Sequence, residues 1–230
     1  MKVIEIKNFD QFHGQILKYS SSNYLFRGES RFDWQLLPKI GRPEFRKVIP
    51  LIFKEEYILR SWMRYASNLV NILPKDDWEV ISLAQHHGLA TRLIDWTKNP
   101  LIALFFATFD HSSKDGAFYV FDFKNDTINY EKIKPYEIDF SGVFYPKGIT
   151  RRVINQRGVF SISHDPSKPF DELMKGYDFI KFKINKDAKK QIQRTLEHYD
   201  INEFSIYNDL DNLSNYLNRF MLNREIDEII

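Results

Sequence analysis

The stretch AQHHGLATRLIDWT, residues 84 to 97, crowds two histidines, an arginine, an aspartate and a threonine around one glycine. His87 and Asp95 are the groups there suited to moving a proton, His86, Arg92 and Thr97 to gripping a ligand. Adjacent histidines on a helix point roughly 100° apart, so His86 and His87 cannot share a metal ion as an i, i+4 pair does, and no metal is expected. The plain alternative is one exposed histidine and one bonded to the next loop. If TRLIDWT is extended, Arg92, Asp95 and Thr97 share a polar face, or Arg92 and Asp95 simply pair internally. A second arginine, Arg27 in YLFRGES, sits on an apolar strand, where a guanidinium is costly unless it meets an anion. That anion is either a ligand phosphate or carboxylate, or a buried Asp or Glu. Further on, RRVINQRGVFSIS sets Arg151, Arg152, Gln156 and Arg157 before an alternating run, giving a local positive surface or a charged strand edge.

These groups need elements to hold them. VIEIK alternates like a short strand, and NFDQFHGQILKYS has a capping residue at Asn8 or Asp10 followed by helical spacing. Strands are expected around 24–27, 92–97, 117–122 and 158–162, with a further one in DFIKFKI. Residues 45–73 read as helical, with Pro50 starting the main helix. DDWEVISLAQHHG is another helix, stopped by Gly88. Asn99-Pro100 caps LIALFFATF, a buried helix that anchors the polar stretch before it. In DLDNLSNYLNRFMLN, Leu210, Leu213, Leu217 and Phe220 form a stripe expected to pack in the core.

Composition narrows the chemistry. With 230 residues, 43% of them hydrophobic, and with 20 Phe and 12 Tyr, the chain can bury a real core and has aromatic surface to spare. The absence of cysteine excludes disulfides, thiolate metal sites and a cysteine nucleophile, and fits a reducing compartment. No window approaches the ~20 apolar residues of a membrane span, and MKVIEIKNFD lacks the features of a secretory signal, so the expected location is cytoplasmic. A formal charge of +2 argues against a protein built to wrap duplex DNA. Phosphate loops, the G-x-S-x-G elbow, H-E-x-x-H and EF-hand patterns are all missing.

Phe26-Arg27-Gly28, the run Ala84 to Trp96 continuing through Asn99, Pro100, Ala103 and Phe106-Ala107, Gln156-x-Gly158-x-Phe160, and SIYNDLDNL together resemble the FRG domain, found mostly in prokaryotic and phage proteins. The resemblance spans roughly residues 20 to 220, with Asn208 in place of the family's proline. The order of an aromatic-Arg-Gly strand, a polar strand running into a buried helix and a Gln/Glu strand is similar to that of ADP-ribosyltransferases. It implies that Arg27, with Gly28, contacts the NAD phosphates or ribose, that Asp95-Trp96-Thr97 occupies the Ser-Thr-Ser strand, and that Gln156 falls where the catalytic Glu sits. Gln156 offers dipoles but no charge, so catalysis is altered or the pocket binds without cleaving.

The expectation is a single α+β domain over residues 1–230, with a bent or split central sheet and a helical insertion at about 45–88. Arg27, His87, Arg92, Asp95 and Gln156 should line one cleft, with His87, Asp95 and Gln156 catalytic and Arg27, Gly28, His86, Arg92 and Thr97 binding NAD or a related nucleotide, in prokaryotic or phage defence. A nucleotide sensor without turnover and a nucleic-acid-binding module are the alternatives. A protein acceptor is a further expected partner, and the oligomeric state is left open.

Overall fold

A computed structural model describes residues 1–46, 51–70, 72–109, 113–130, 133–146 and 157–223. Among them, β1 (Lys2–Ile6), β2 (Tyr24–Glu29), β3 (Leu93–Thr97), β4 (Gly116–Asp122), β5 (Gly142–Phe144), β6 (Gly158–Ile162) and β7 (Asp178–Ile184) form one open mixed sheet in the order β1-β7-β4-β2-β3-β6-β5. Only β1 and β7 run parallel; the other neighbours are antiparallel. This is an α+β fold with every expected strand in place. Between β2 and β3 come α2 (Pro43–Arg46), α3 (Leu51–Ala66) and α4 (Asp77–His86), in the region expected to be helical.

Local signals set the helix ends. Asn8 accepts from the Gln11 N–H at 2.9 Å and starts α1 (Phe9–Ile16). Asp76 does the same for α4 through the Glu79 N–H at 2.8 Å, and Gly88, at φ +85°, ends that helix in the left-handed region. Asn99 caps α5 (Pro100–Thr108), with Pro100 in its first turn where no N–H is needed.

α5 is apolar all round because it is buried all round. It lies on β2 and β4 so closely that a Cβ on Gly28 would stand 1.8 Å from the Ala103 carbonyl oxygen, and one on Gly116 2.1 Å from that of Ala107. That face of the sheet, with Phe26, Phe118, Val120, Phe182 and Ile184, packs against α1, α5 and α7 (Lys189–His198). The opposite face carries Leu25, Ile94, Trp96, Tyr119 and Phe121 under Leu36 and the short helix α6 (Phe170–Leu173). A third cluster joins Leu59 of α3 and Trp78 and Ile81 of α4 to Leu93, Phe144, Phe160 and Ile162.

The sheet is most sparsely paired at its centre. β2 and β3 meet at one residue pair, Phe26 with Thr97. Continuing that register would set Gly28 beside Asp95, but the Asp95 carbonyl accepts instead from the Arg27 guanidinium at 2.8 Å. The single pairing falls between the two strands that carry the chemistry.

One expectation at the C-terminal end is corrected. Leu210 is 78% exposed and Leu217 is also exposed, so the stripe on α9 (Leu210–Asn223) does not pack in the core, which Ile192, Leu196 and Ile206 already close; the Phe220 side chain lies outside the description. At the turn after α8 (Glu203–Tyr207), Asn208 takes φ 51°, a conformation closed to proline, whose ring holds φ near −65°. The family's proline cannot stand in this backbone. Among the described residues, no helix is long and apolar enough to cross a membrane.

Candidate functional site

Arg27 leaves β2 on the face opposite Gly28, since successive strand residues point to opposite sides. Its Nε and Nη2 donate to Glu29 Oε1 at 3.2 and 3.0 Å, and its Nη1 lies 3.8 Å from Asp95 Oδ2 in addition to its bond to the Asp95 carbonyl. Glu29, two residues along the same strand, necessarily shares Arg27's face. The side chains are 15% and 3% exposed, so the pair is largely withdrawn from water. Three of Arg27's five N–H groups are used by these hydrogen bonds.

A second guanidinium approaches the same oxygen. Arg42 Nη2 stands 3.9 Å from Glu29 Oε1, beyond hydrogen-bond length, while its Cζ lies over the Trp34 ring at 5.0 Å. Burial, and next the positive charge of Arg27, pull the Arg42 pKa below its ordinary value, against the pull of Glu29, Glu44 and Asp95. The other oxygen of Glu29, Oε2, is buried without a hydrogen-bond partner. A buried acceptor left unpaired costs about 1–3 kcal/mol, so the cleft holds unspent capacity on both its cationic and anionic sides.

The loop after β2 is pinned to hold Trp34. Lys189 Nζ donates to the Ser30 carbonyl at 2.7 Å, and Lys181 Nζ to those of Phe32 at 2.7 Å and Trp34 at 3.2 Å. The Tyr119 hydroxyl also donates to Trp34, at 3.2 Å; burial pushes its pKa far up, so it stays protonated. Lys181 lies over the Phe32 ring, and burial pulls its pKa down. At the mouth, Asp95 Oδ2 accepts from Gln85 Nε2 at 2.6 Å, and Gln85 Oε1 accepts from the Thr91 hydroxyl at 2.6 Å. The Asp95 side chain is half exposed.

The structure thus joins Arg27 to Asp95 and separates other expected members. Arg92 does not share the face of Asp95: residues 93, 95 and 97 lie on one side, and the Arg92 guanidinium is buried against Glu55 of α3. Arg92 Nε and Nη2 reach Glu55 Oε2 at 3.0 Å, its backbone N–H donates to Oε1 at 2.8 Å, and the Tyr136 ring lies 5.0 Å from its Cζ. The internal-pair alternative holds, with Glu55 as partner. Burial raises the Glu55 pKa, outweighing the attraction of Arg92. Gly28 faces α5, so its missing Cβ serves helix packing and not a ligand. Thr97 is buried, and its hydroxyl accepts from the Asn99 N–H at 3.0 Å beside the α5 N-terminus. His87 is exposed at the end of α4, its ring 6.3 Å from Trp62 and edge-on to His86 at 5.1 Å. The residue that α4 delivers to Asp95 is Gln85. Gln156, with Arg151 and Arg152, lies outside the described residues, so the Arg27-to-Gln156 expectation does too.

Glu29, Arg42 and Gln85 were not singled out from the sequence. Glu29 had a signal in the two-residue strand period beside Arg27. Gln85 stood inside the quoted motif, overshadowed by the histidines. Arg42 has no local signal, because tertiary packing alone brings it to Glu29.

A cavity of about 490 Å³ lies at the opposite end of the central strands, bordered by Tyr24, Asp122, Asp171, Tyr177 and Asp178. None of its residues belongs to the Arg27 cluster. Three carboxylates border it together with Lys2 and Met1, whereas the Arg27 cluster sets two guanidiniums side by side, so the arginine cluster is the better candidate for an anion.

Residues 22–116 match the family model of the FRG domain. Phe26-Arg27-Gly28, Arg42 and the AQHHG to TRLIDW run all lie within the matched residues, in keeping with the resemblance read from those motifs. No curated protein and no solved structure matches the chain.

Proposed function

We propose that the cleft between β2 and β3 binds a phosphate-bearing nucleotide, with NAD as the reading that the likeness to ADP-ribosyltransferases favours. The observation that carries this is the convergence of two guanidiniums, Arg27 and Arg42, on one oxygen of Glu29. Glu29 and the half-exposed Asp95 occupy only part of the two guanidiniums, and N–H groups are left over for the bidentate, charge-assisted contacts that phosphates accept. Trp34, held flat under Arg42, offers an aromatic surface at the rim.

Turnover would need a group facing the reacting atoms, and the half-exposed Asp95, oriented by Gln85 and Arg27, is the carboxylate placed at the mouth for that work. An enzyme of this kind would release nicotinamide from NAD, transferring ADP-ribose to water or to a protein; a sensor would bind without release. In the cell this reading implies a role in prokaryotic or phage defence. The nucleic-acid alternative rests on Arg151, Arg152 and Arg157, the first two of which lie outside the described residues.

The test pairs thermal melting with NAD, ADP-ribose, ATP and GTP at millimolar concentration with a nicotinamide-release assay. A ligand-dependent rise in melting temperature that Arg27→Lys loses supports the cleft, and nicotinamide release separates enzyme from sensor. Absence of any shift with all four ligands overturns the reading.

A further inference from the structure

We infer that the ligand of this cleft carries a free hydroxyl close to its anionic group, and that Glu29 Oε2 accepts the hydrogen bond from it. The inference rests on the nucleotide reading above and narrows it to ribonucleotides, whose 2′- and 3′-hydroxyls lie a few bonds from the phosphate. Glu29 divides its two oxygens between two tasks. Oε1 receives both donors of Arg27 and faces Arg42, while Oε2, buried, receives nothing. An ion pair kept only for stability has every reason to fill both oxygens, as Glu55 does with Arg92.

The unfilled acceptor sits beside an unfilled donor. Among the described residues, the Arg42 guanidinium makes its 3.9 Å approach to Glu29 and its stack on Trp34 but donates no hydrogen bond. Among the described residues the Trp34 stack holds this half-buried side chain, which leaves its N–H groups available to a phosphate. A bare phosphate or carboxylate would satisfy Arg42 and meet the repulsion of Glu29. A deoxynucleotide would leave Oε2 as it stands. A ribonucleotide satisfies both with adjacent groups, and its hydroxyl donates to a carboxylate, the stronger kind of hydrogen bond. Asp95, the neighbouring carboxylate, is not the acceptor this requires, because its Oδ2 is already bonded to Gln85 and half open to water.

Binding of ADP and of 2′,3′-dideoxy-ADP to the wild-type protein, measured by titration calorimetry, tests the inference without any variant. ADP is expected to bind about tenfold or more tightly than its dideoxy analogue, the loss that follows from leaving one buried charged acceptor unpaired. Glu29→Gln, checked for an intact melting transition, should bring the two affinities to within about threefold, with the dideoxy analogue bound no more weakly than before, while Asp95→Asn keeps the discrimination. Equal binding of the two ligands by the wild type overturns the hydroxyl contact and leaves the nucleotide reading standing. Discrimination lost in Asp95→Asn and retained in Glu29→Gln overturns it as well. If neither ligand binds, the inference fails, and NAD titrated alongside decides whether the nucleotide reading fails with it.

Discussion

Two arginine–glutamate pairs lie within one fold, and they are built differently. Arg92 and Glu55 tie α3 to the start of β3: both side chains are at most 3% exposed, each Glu55 oxygen has a donor, and the Tyr136 ring covers the guanidinium. Arg27 and Glu29 share one strand in the gap between β2 and β3; one carboxylate oxygen is oversubscribed and the other has no partner. A pair whose task is structural spends its hydrogen-bonding capacity internally, whereas a pair that awaits a ligand holds some back. What distinguishes them most is the accounting of donors and acceptors, since the residue types are the same and both glutamates are buried.

Breaking the closed pair should have the largest effect. Arg92→Ala strands Glu55 in the core and should cost about 3–5 kcal/mol at neutral pH, a large share of a total margin of about 5–15. The loss should depend on pH with a definite sign. Burial already holds the folded-state pKa of Glu55 above its unfolded value, so the stability linked to its protonation is full below the ordinary carboxyl range and is lost as pH rises through the raised value. Removing Arg92 deletes a charge that lowers that pKa, so the penalty should shrink in acid. Urea denaturation at pH 5 and pH 8 checks this; a penalty the same at both would mean that Glu55 is not the group left stranded.

Arg27→Ala should cost less, about 1–3 kcal/mol, because it leaves Glu29 unpaired but still near Arg42. Arg27→Lys keeps a charge and should melt within a few degrees of wild type, yet lose NAD binding, since an ammonium lacks the planar fork. Equal losses of stability for Arg27→Ala and Arg92→Ala, with no nucleotide effect on either melt, would erase the distinction between the pairs.

Much of this fold was legible because its signals are local. The alternation in YLFRGE and DFIKFKI, the caps at Asn8, Asp76 and Asn99, and the glycine after α4 each act within a few residues. The site was legible only in part. Arg27 and Asp95 were placed together by motif, but assigning Arg92 to the same face overlooked strand parity, which puts 92 opposite 95. Gly28 read as a ligand contact because a glycine beside an arginine suggests backbone approach; the approach is real, but it is that of α5. Glu55 and Arg42 come from outside β2 and β3, and no pattern near either one points to its arginine or carboxylate partner. The stripe on α9, exposed at Leu210 and Leu217, shows the reverse failure, a helical period that does not lead into the core.

The smallest effect on stability should come from Arg42, and it is the sharpest test of the open pair. Among the described residues Arg42 makes no hydrogen bond through its guanidinium; it stands 3.9 Å from Glu29 and is disfavoured by burial and by Arg27. Deleting it removes a repulsion as well as an attraction, so Arg42→Ala should change the unfolding free energy by about 0.5 kcal/mol or less, as surface substitutions do. If Arg42 closes on a phosphate, the same substitution should weaken nucleotide binding about tenfold or more, the worth of a charge-assisted contact. A structural arginine would give the opposite ratio, a clear fall in melting temperature with unchanged binding. Melting curves and calorimetric titrations with NAD on one preparation of Arg42→Ala decide between these outcomes, and a stability loss comparable to that of Arg92→Ala would remove Arg42 from the binding site.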